Sequence, residues 1–298
     1  MTSSPRGGRP PATPPSAVQR RLLEQLEAQL DVAALTPLSH ERCLESHNIF
    51  EGASDQRRQI ARHLGGVAPD SASDGEFSVL SIGCGGGELD REVVRSLAER
   101  FPRLRYTGVD PNPVEATRCR AFVSTATPEA EVAVEAVVFE DFTAPAASFD
   151  IAYAVHTLYY LAEVDRAIAR ARRMLRDGGQ LIVFQAPRGL LNQLSAVFWE
   201  AQLGRRIRFS EDLGEICASG RPTVARFDAE VDVTPCLEAP SSAAARALRD
   251  FILQFDTAFL APRTVELVDE YLCAISRRTA AGAWRSPHPV DVFVWPSS

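Results

Sequence analysis

The sequence predicts an α/β fold, a seven-stranded and mostly parallel sheet flanked by helices, and three observations predict it. Val79-Leu80-Ser81-Ile82 runs straight into Gly83-Cys84-Gly85-Gly86-Gly87, and a helical stretch opens at once on Glu88-Leu89-Asp90. Only glycine lets a backbone turn so sharply and come into van der Waals contact with a ligand. Further on, Tyr106-Thr107-Gly108-Val109-Asp110 reads as a second strand that ends in a carboxylate. From residue 77 to 185, short apolar runs alternate with four-residue helical repeats. Such alternation means parallel strands joined by right-handed crossovers, with the ligand outside their carboxyl ends.

The elements follow in order. Residues 1–16 are Pro, Ser, Thr, Gly and Arg with almost nothing to bury, which predicts a disordered tail. Residues 17–66 are expected to form an N-terminal helical cap. In it, Leu22, Leu26 and Leu30 mark one amphipathic helix, Ser39 caps a second through Phe50, and Ser54 caps a third to Leu64. Residues 77–298 form the nucleoside-binding domain. Strand 77–83 leads into a helix bearing Leu89, Val93, Leu97 and Phe101. Strand 104–110 precedes a helix over 113–124; strands 132–139 and 150–155 follow. The next helix carries Val164, Ile168, Ala171 and Leu175, and Asp177-Gly178-Gly179 is read as its left-handed stop before strand 180–185. Helices are expected over 190–203 and 210–218, and a strand within 223–234. Two helices within 241–279 then form an insertion, expected to act as a substrate lid, before the last strand, 290–295. The stripe Phe251, Phe255, Phe259 in it reads as core rather than pocket.

Composition excludes whole classes of chemistry. The 298 residues hold 45% hydrophobic side chains, enough for a sizeable core, and a net charge of -7 argues against nucleic acid as a partner. All 32 basic residues are arginine, so Schiff-base, P-loop and kinase lysines are out. No apolar run approaches the ~18 residues of a membrane span, and the N-terminus lacks the pattern of a signal peptide. Cys43, Cys84, Cys119, Cys217, Cys236 and Cys273 are scattered, with no C-x-x-C pair and no metal spacing. Reduced thiols, a cytoplasmic location and no metal are therefore expected.

The glycine turn also discriminates among cofactors. A dinucleotide fingerprint needs a third glycine where this chain has Glu88, with Asp90 two residues on. Two carboxylates suit a helix N-terminus but repel a diphosphate there. That argues against an NAD-linked oxidoreductase and for a cationic, phosphate-free cofactor, S-adenosylmethionine. Gly83, Gly85 and Gly87 would cradle it, and Asp110 would accept hydrogen bonds from its ribose. In the loop after the third strand, Asp141 followed by Phe142 can bond an exocyclic amine and stack on an adenine ring. His156, directly after the fourth strand, is either a hydrogen-bond acceptor or general base for a nucleophile, or a structural histidine.

Three less common blocks add a resemblance. They are Leu44-Glu45-Ser46 with Phe50 and Ser54-Asp55-Gln56, His156-Thr157-Leu158-Tyr159-Tyr160, and Asp250-Phe251 with Ala261-Pro262. In these, and in order from about Ser39 to Trp295, the chain resembles the histamine N-methyltransferase family of class I methyltransferases, enzymes on a Rossmann-like sheet. The resemblance implies that the glycines around Gly83 face the methionine end, that Asp110 and Glu115 reach the cofactor, that Thr143 lies near the adenine, and that Val155 contacts it through its backbone. On the substrate side Tyr159 is retained, whereas Gln56 replaces a glutamate, His156 a glutamine and His288 an asparagine. Leu190 and Leu194 replace two tryptophans, with Trp199 one turn away; His47 is a further candidate contact. The function implied is methylation of a nitrogen on a small amine or imidazole-like molecule, with His156 as catalytic candidate. Two alternatives stay open: O-methylation of a hydroxyl or carboxylate on a specialised metabolite or peptide, and a non-catalytic S-adenosylmethionine-binding protein.

Overall fold

The structure is a computed structural model that describes residues 14–67, 75–216 and 222–297. Its centre is a seven-stranded sheet. The strands β1 (Glu76–Ile82), β2 (Arg103–Val109), β3 (Glu131–Glu135), β4 (Phe149–Val155), β5 (Leu175–Gln185), β6 (Thr223–Phe227) and β10 (Val290–Pro296) lie in the order β3-β2-β1-β4-β5-β10-β6. All neighbours are parallel except β10, which runs antiparallel to both β5 and β6. The chain therefore reverses strand order beside β1, and the crevice opens at the carboxyl ends of β1 and β4.

Both faces of the sheet are covered, so β1 is buried from Phe77 to Ile82 on both faces rather than on alternate residues. Phe77 and Val79 point into one core with Val93, Val94, Leu97 and Tyr106. Leu80 and Ile82 point into the other with Ala152, Ala154, Ile168, Val183 and Trp295. The first core is roofed by α3 (Gln56–Val67), α4 (Glu88–Ala98) and α5 (Pro113–Ala126); α6 (Val164–Arg173) packs on the second. Asn112 caps α5 by accepting from the N–H groups of Val114 and Glu115, with Pro113 in the first turn, the usual way to start a helix after a strand.

A helical lobe stands beside this sandwich. It gathers α1 (Ala17–Gln29), α2 (His40–Ala53), α7 (Leu190–Leu203), α9 (Thr234–Glu238), α10 (Ala243–Leu253) and α11 (Pro262–Ile275) around Leu26, Phe50, Leu194, Phe198, Leu253, Leu267 and Leu272. Asp250, fully buried on α10, binds Arg42 of α2 at 2.7 Å and accepts from the N–H and hydroxyl of Thr257. Ser16 opens α1 with a reciprocal capping box to Gln19. The helix α8 (Ser210–Ile216) follows α7 in the chain. Three short strands, β7 (Glu230–Asp232), β8 (Arg277–Arg278) and β9 (Trp284–Pro287), form a second antiparallel sheet in the order β7-β9-β8.

Several boundaries differ from the expectations. Strand β3 ends at Glu135 instead of 139, and α6 ends at Arg173, so Leu175 begins a strand rather than closing a helix. The Asp177-Gly178-Gly179 stop is a bulge inside β5. Phe149 pairs with Leu175 and Ile151 already with Gln180, and Gly178 absorbs the excess chain at φ +79°. Region 223–234 holds two strands in different sheets. Helix α10 stops at Leu253 because Gln254 turns left-handed at φ +64°. Residues 1–13 of the expected tail, Cys217, and the end of the 210–218 helix lie outside the described residues.

Candidate active site

A cavity of about 310 Å³ lies between the glycine turn and the helical lobe, at the low end of ligand-pocket sizes. Its floor is the turn, where Gly83, Gly85 and Gly87 all take positive φ (+72°, +52° and +83°). Each glycine answers a different demand. A Cβ on Gly83 would overlap the Thr157 side chain, and one on Gly87 would meet the Cys119 backbone at 2.8 Å. A Cβ on Gly85 would meet nothing within 4 Å, so this wall of the cavity is bare backbone, open to a closely approaching ligand. Asp110 holds the turn: one carboxylate oxygen accepts from the Gly85 N–H at 2.9 Å, the other from the Asn112 N–H at 2.9 Å. Each oxygen keeps a further acceptor site.

Beneath the turn, Asp90 is buried at the foot of α4 and accepts from the hydroxyls of Tyr106 and Tyr153, both at 2.6 Å. Burial pushes its pKa up, and hydrogen bonds from Ser81 and the two tyrosines pull it back. Above the turn, Arg118 pairs with Glu88 and with Glu115, whose carboxylate also faces His40 at 3.8 Å.

The upper wall joins residues far apart in sequence. His156 ends β4 with φ +52°, a left-handed turn rare outside glycine and typical of functional sites. Its Nε2 lies 2.7 Å from Gln56 Oε1 and its Nδ1 3.2 Å from the Tyr159 hydroxyl. Gln56 Nε2 donates to the His288 carbonyl at 2.9 Å and lies 3.3 Å from His288 Nδ1. The Tyr159 hydroxyl accepts from the Ala186 N–H at 3.0 Å. Burial pushes His156 down to about 4, against a weaker pull upward from Glu51, and burial together with His156 pushes His288 down to about 3. Both imidazoles are neutral at neutral pH.

On the lobe side, His47 lies 3.6 Å from Glu51 one helical turn on, and Arg57 binds Glu51 at 2.9 Å. Burial raises the Glu51 pKa, but the hydrogen bond from His47 and the Arg57 charge outweigh it and hold the carboxyl below its usual range. Phe50, Tyr160, Leu191, Trp199, Phe209 and Phe251 supply the apolar wall.

The structure thus brings Gly83, Gly85, Val155, His156, Gln56, His47, Tyr159, Trp199 and His288 to one cavity. Gly87, Asp110 and Glu115 stand around the turn without lining it. Asp141 and Thr143 are exposed, and the Phe142 ring is buried against Phe139 in the core, its face spent on packing. Of the aromatic stripe, Phe251 lines the cavity, Phe255 is core and Phe259 is 60% exposed. Glu51 and Arg57 were not singled out as ligand-side groups, and Asp90, expected to face the ligand at the helix start, is instead buried against Tyr106 and Tyr153. The signal for Asp90 was its place on the apolar face of α4, three, four and seven residues before Val93, Val94 and Leu97.

The depressed imidazoles carry a pH prediction. Between folded values of about 4 and 3 and an unfolded value near 6.5, the unfolded chain binds the extra protons. Stability therefore rises with pH through that window, by up to about 1.4 kcal/mol per pH unit for each ring, and these rings add no slope above about pH 7. Urea midpoints should fall markedly from about pH 7 to about pH 5; a flat response would contradict neutral burial of the pair.

The turn fits an adenosyl sulfonium better than a diphosphate, since Glu88 stands at the start of α4 where a dinucleotide turn has its third glycine, while bare backbone at Gly85 faces the cavity. Comparison with known proteins agrees. Residues 80–181 match a family described as a methyltransferase domain. The 27-O-demethylrifamycin SV methyltransferase of Amycolatopsis mediterranei is 29% identical over 142 residues, 44% of this chain and 47% of that protein. The chain thus spans about half the length of the curated relative it matches. Two solved structures share the fold at a TM-score of 0.51. One is a candidate methyltransferase of Bacillus halodurans C-125, at 14% identity, covering 78% of this chain and 96% of that one. The other is the YcgJ protein of Bacillus subtilis, at 13% identity, covering 80% and 96%. Over residues 80–181 the chain is therefore similar to a methyltransferase domain, on a fold it shares with these two structures.

Proposed function

We propose that the protein methylates a nitrogen of a small amine or imidazole-like molecule, taking up the acceptor in the cavity between the turn and the lobe. One observation carries this reading: the two imidazoles buried in the upper wall of the cavity, and the Glu51 carboxylate beside them, are poor bases. His156 has both ring nitrogens engaged and a pKa of about 4, His288 stands at about 3, and Glu51 is held below the ordinary carboxylate range. An alcohol needs a base to become a nucleophile, whereas a neutral ring nitrogen already presents its lone pair.

When bound, S-adenosylmethionine supplies an activated methyl on a positively charged sulfur. Gly83, Gly85 and Val155 are proposed to hold its methionine end, and Asp110 its ribose. Glu115, Asp141 and Thr143 remain proposed contacts at its outer side, where the buried Phe142 ring adds no face. The chain's remaining task is positioning. Tyr159, Trp199 and Phe251 exclude water and orient the acceptor ring; His47, Gln56 and His288 offer it polar edges. The resemblance of the Gln56, Tyr159 and Asp250 blocks to the histamine N-methyltransferases supports a nitrogen acceptor. The size of the cavity, about 310 Å³, supports a small-molecule partner. The five described cysteines, all free, support a cytoplasmic setting, and no described helix is long and apolar enough to cross a membrane.

A second reading has its own support. The Amycolatopsis relative is by name an O-methylating enzyme, and a phenolate or carboxylate, ionised before it arrives, would also need no base. Incubation with methyl-labelled S-adenosylmethionine and paired ring acceptors bearing either a nitrogen or a hydroxyl separates the two. The expected product is a base-stable N-methyl compound; a methyl ether or a base-labile ester would overturn the nitrogen assignment.

A further inference from the structure

Three side chains and two backbone groups, from four separate segments, form one hydrogen-bond chain whose direction is set at both ends by backbone. At one end the Ala186 N–H donates to the Tyr159 oxygen at 3.0 Å. At the other end the His288 carbonyl, which can only accept, lies 2.9 Å from Gln56 Nε2. That carbonyl fixes the Gln56 amide, so Oε1 faces His156 Nε2 at 2.7 Å. An amide oxygen only accepts; Nε2 therefore carries the proton. Nδ1 of the neutral ring is then a bare acceptor, and the Tyr159 O–H, 3.2 Å away, donates to it. Every donation runs the same way, from Ala186 through Tyr159, His156 and Gln56 to His288, an arrangement in which each bond strengthens the next.

We propose that Gln56 is a positioning residue: its amide locks His156 as the neutral Nε2–H tautomer, so the end of β4 presents neither a charge nor a free imidazole lone pair to the cavity. His156 is then a buttress for the left-handed turn at the strand end and for Tyr159, not the base that its position suggests. A proton added at Nδ1 would displace the Tyr159 O–H. It would also place an imidazolium in a cavity suited to a cationic cofactor. The titratable groups around the ring are few and identifiable. Glu51 faces it from α2, itself balanced by Arg57 and His47. Tyr159 and Tyr160 follow it in sequence, and His288 stacks beside it at 6.5 Å, with Asp55 acting on His288. Only Glu51 favours protonation of His156 directly, and its charge is already shared.

The test is nitrogen-15 NMR of histidine-labelled protein, with His156→Phe identifying the resonance. In the wild type, His156 should show a protonated Nε2 and a bare Nδ1, unchanged from about pH 8 to about pH 5, where an ordinary imidazole titrates. Gln56→Glu exchanges the amide donor for a second acceptor; its His156 should titrate at or above about 6.5. In Gln56→Met, which can neither donate nor orient, the tautomers should mix. The signals of His40, His47, His63 and His288 report whether each variant stays folded. The spectra stand independently of the acceptor's identity. Only a kinetic arm, in which the glutamate variant gains an ionisation near neutrality in its kcat/KM profile, rests on the proposed methyl transfer. A wild-type ring protonated at Nδ1, or one titrating near 6.5, would overturn the proposal. So would a glutamate variant whose spectrum matches the wild type, which is what a merely structural amide would give.

Discussion

Replacing Gly85 by valine is expected to weaken S-adenosylmethionine binding by about a hundredfold or more while leaving the protein folded. The position faces open cavity, so an added Cβ meets no protein atom within 4 Å. The cost to folding is confined to the left-handed backbone at φ +52°, about 1–2 kcal/mol. The cost to binding is larger, because two methyl groups would occupy the space of the closest ligand contact. Overlap of this kind costs up to ~3 kcal/mol, about two decades in affinity. Gly87→Val is the control with the opposite signature. There the Cβ would stand 2.8 Å from the Cys119 backbone on α5, and helix α4 could not start without displacing α5. That variant should lose stability first. Calorimetric titration and thermal melts of the two proteins separate binding from folding; equal affinity for Gly85→Val and wild type would remove the ligand from the turn.

The largest stability effect is expected at Asp90. Its Oδ1 receives two tyrosine hydroxyls at 2.6 Å, and both tyrosines are about 1% exposed. Asp90→Ala strands both donors away from water, at about 1–3 kcal/mol each, before the lost volume is counted. For a chain of this size ~1 kcal/mol moves the melting temperature by about 2–4 °C, so a fall on the order of 10 °C is expected. Asp90→Asn keeps one acceptor and should fall by much less. If alanine and asparagine melt within a degree or two of wild type, the tyrosines have found other partners and Asp90 is not the anchor beneath the turn.

Legibility followed the range of the interactions. Strands β1 and β2 and the turn were readable because apolar runs bounded by glycine and a terminal carboxylate are local signals. The second sheet was not, since Arg277–Arg278 and Trp284–Pro287 are too short and polar to show a period. The bulge at Gly178 looks like a helix stop in sequence; only its pairing partners, Phe149 and Ile151, reveal it as strand. In the site, residues at strand ends such as Val155 and His156 were located by position alone. What His156 does was not, because its partner Gln56 lies 100 residues before it and its other partner, Tyr159, is held by Ala186 at the next strand's exit. Glu51 escaped notice because a surface-like His47-to-Glu51 pair only becomes a cavity wall once α2 docks on α10 through Arg42 and Asp250. Phe142 shows the converse, an aromatic in the expected loop whose ring turned inward.

The account depends on an adenosyl sulfonium seated on bare backbone at the carboxyl end of β1. Calorimetric titration of the wild-type protein with S-adenosylmethionine, its demethylated product and NAD tests this most directly. Saturable heat with the first two, none with NAD, and loss of both signals in Gly85→Val are the predicted results. Binding of NAD without binding of S-adenosylmethionine would contradict it.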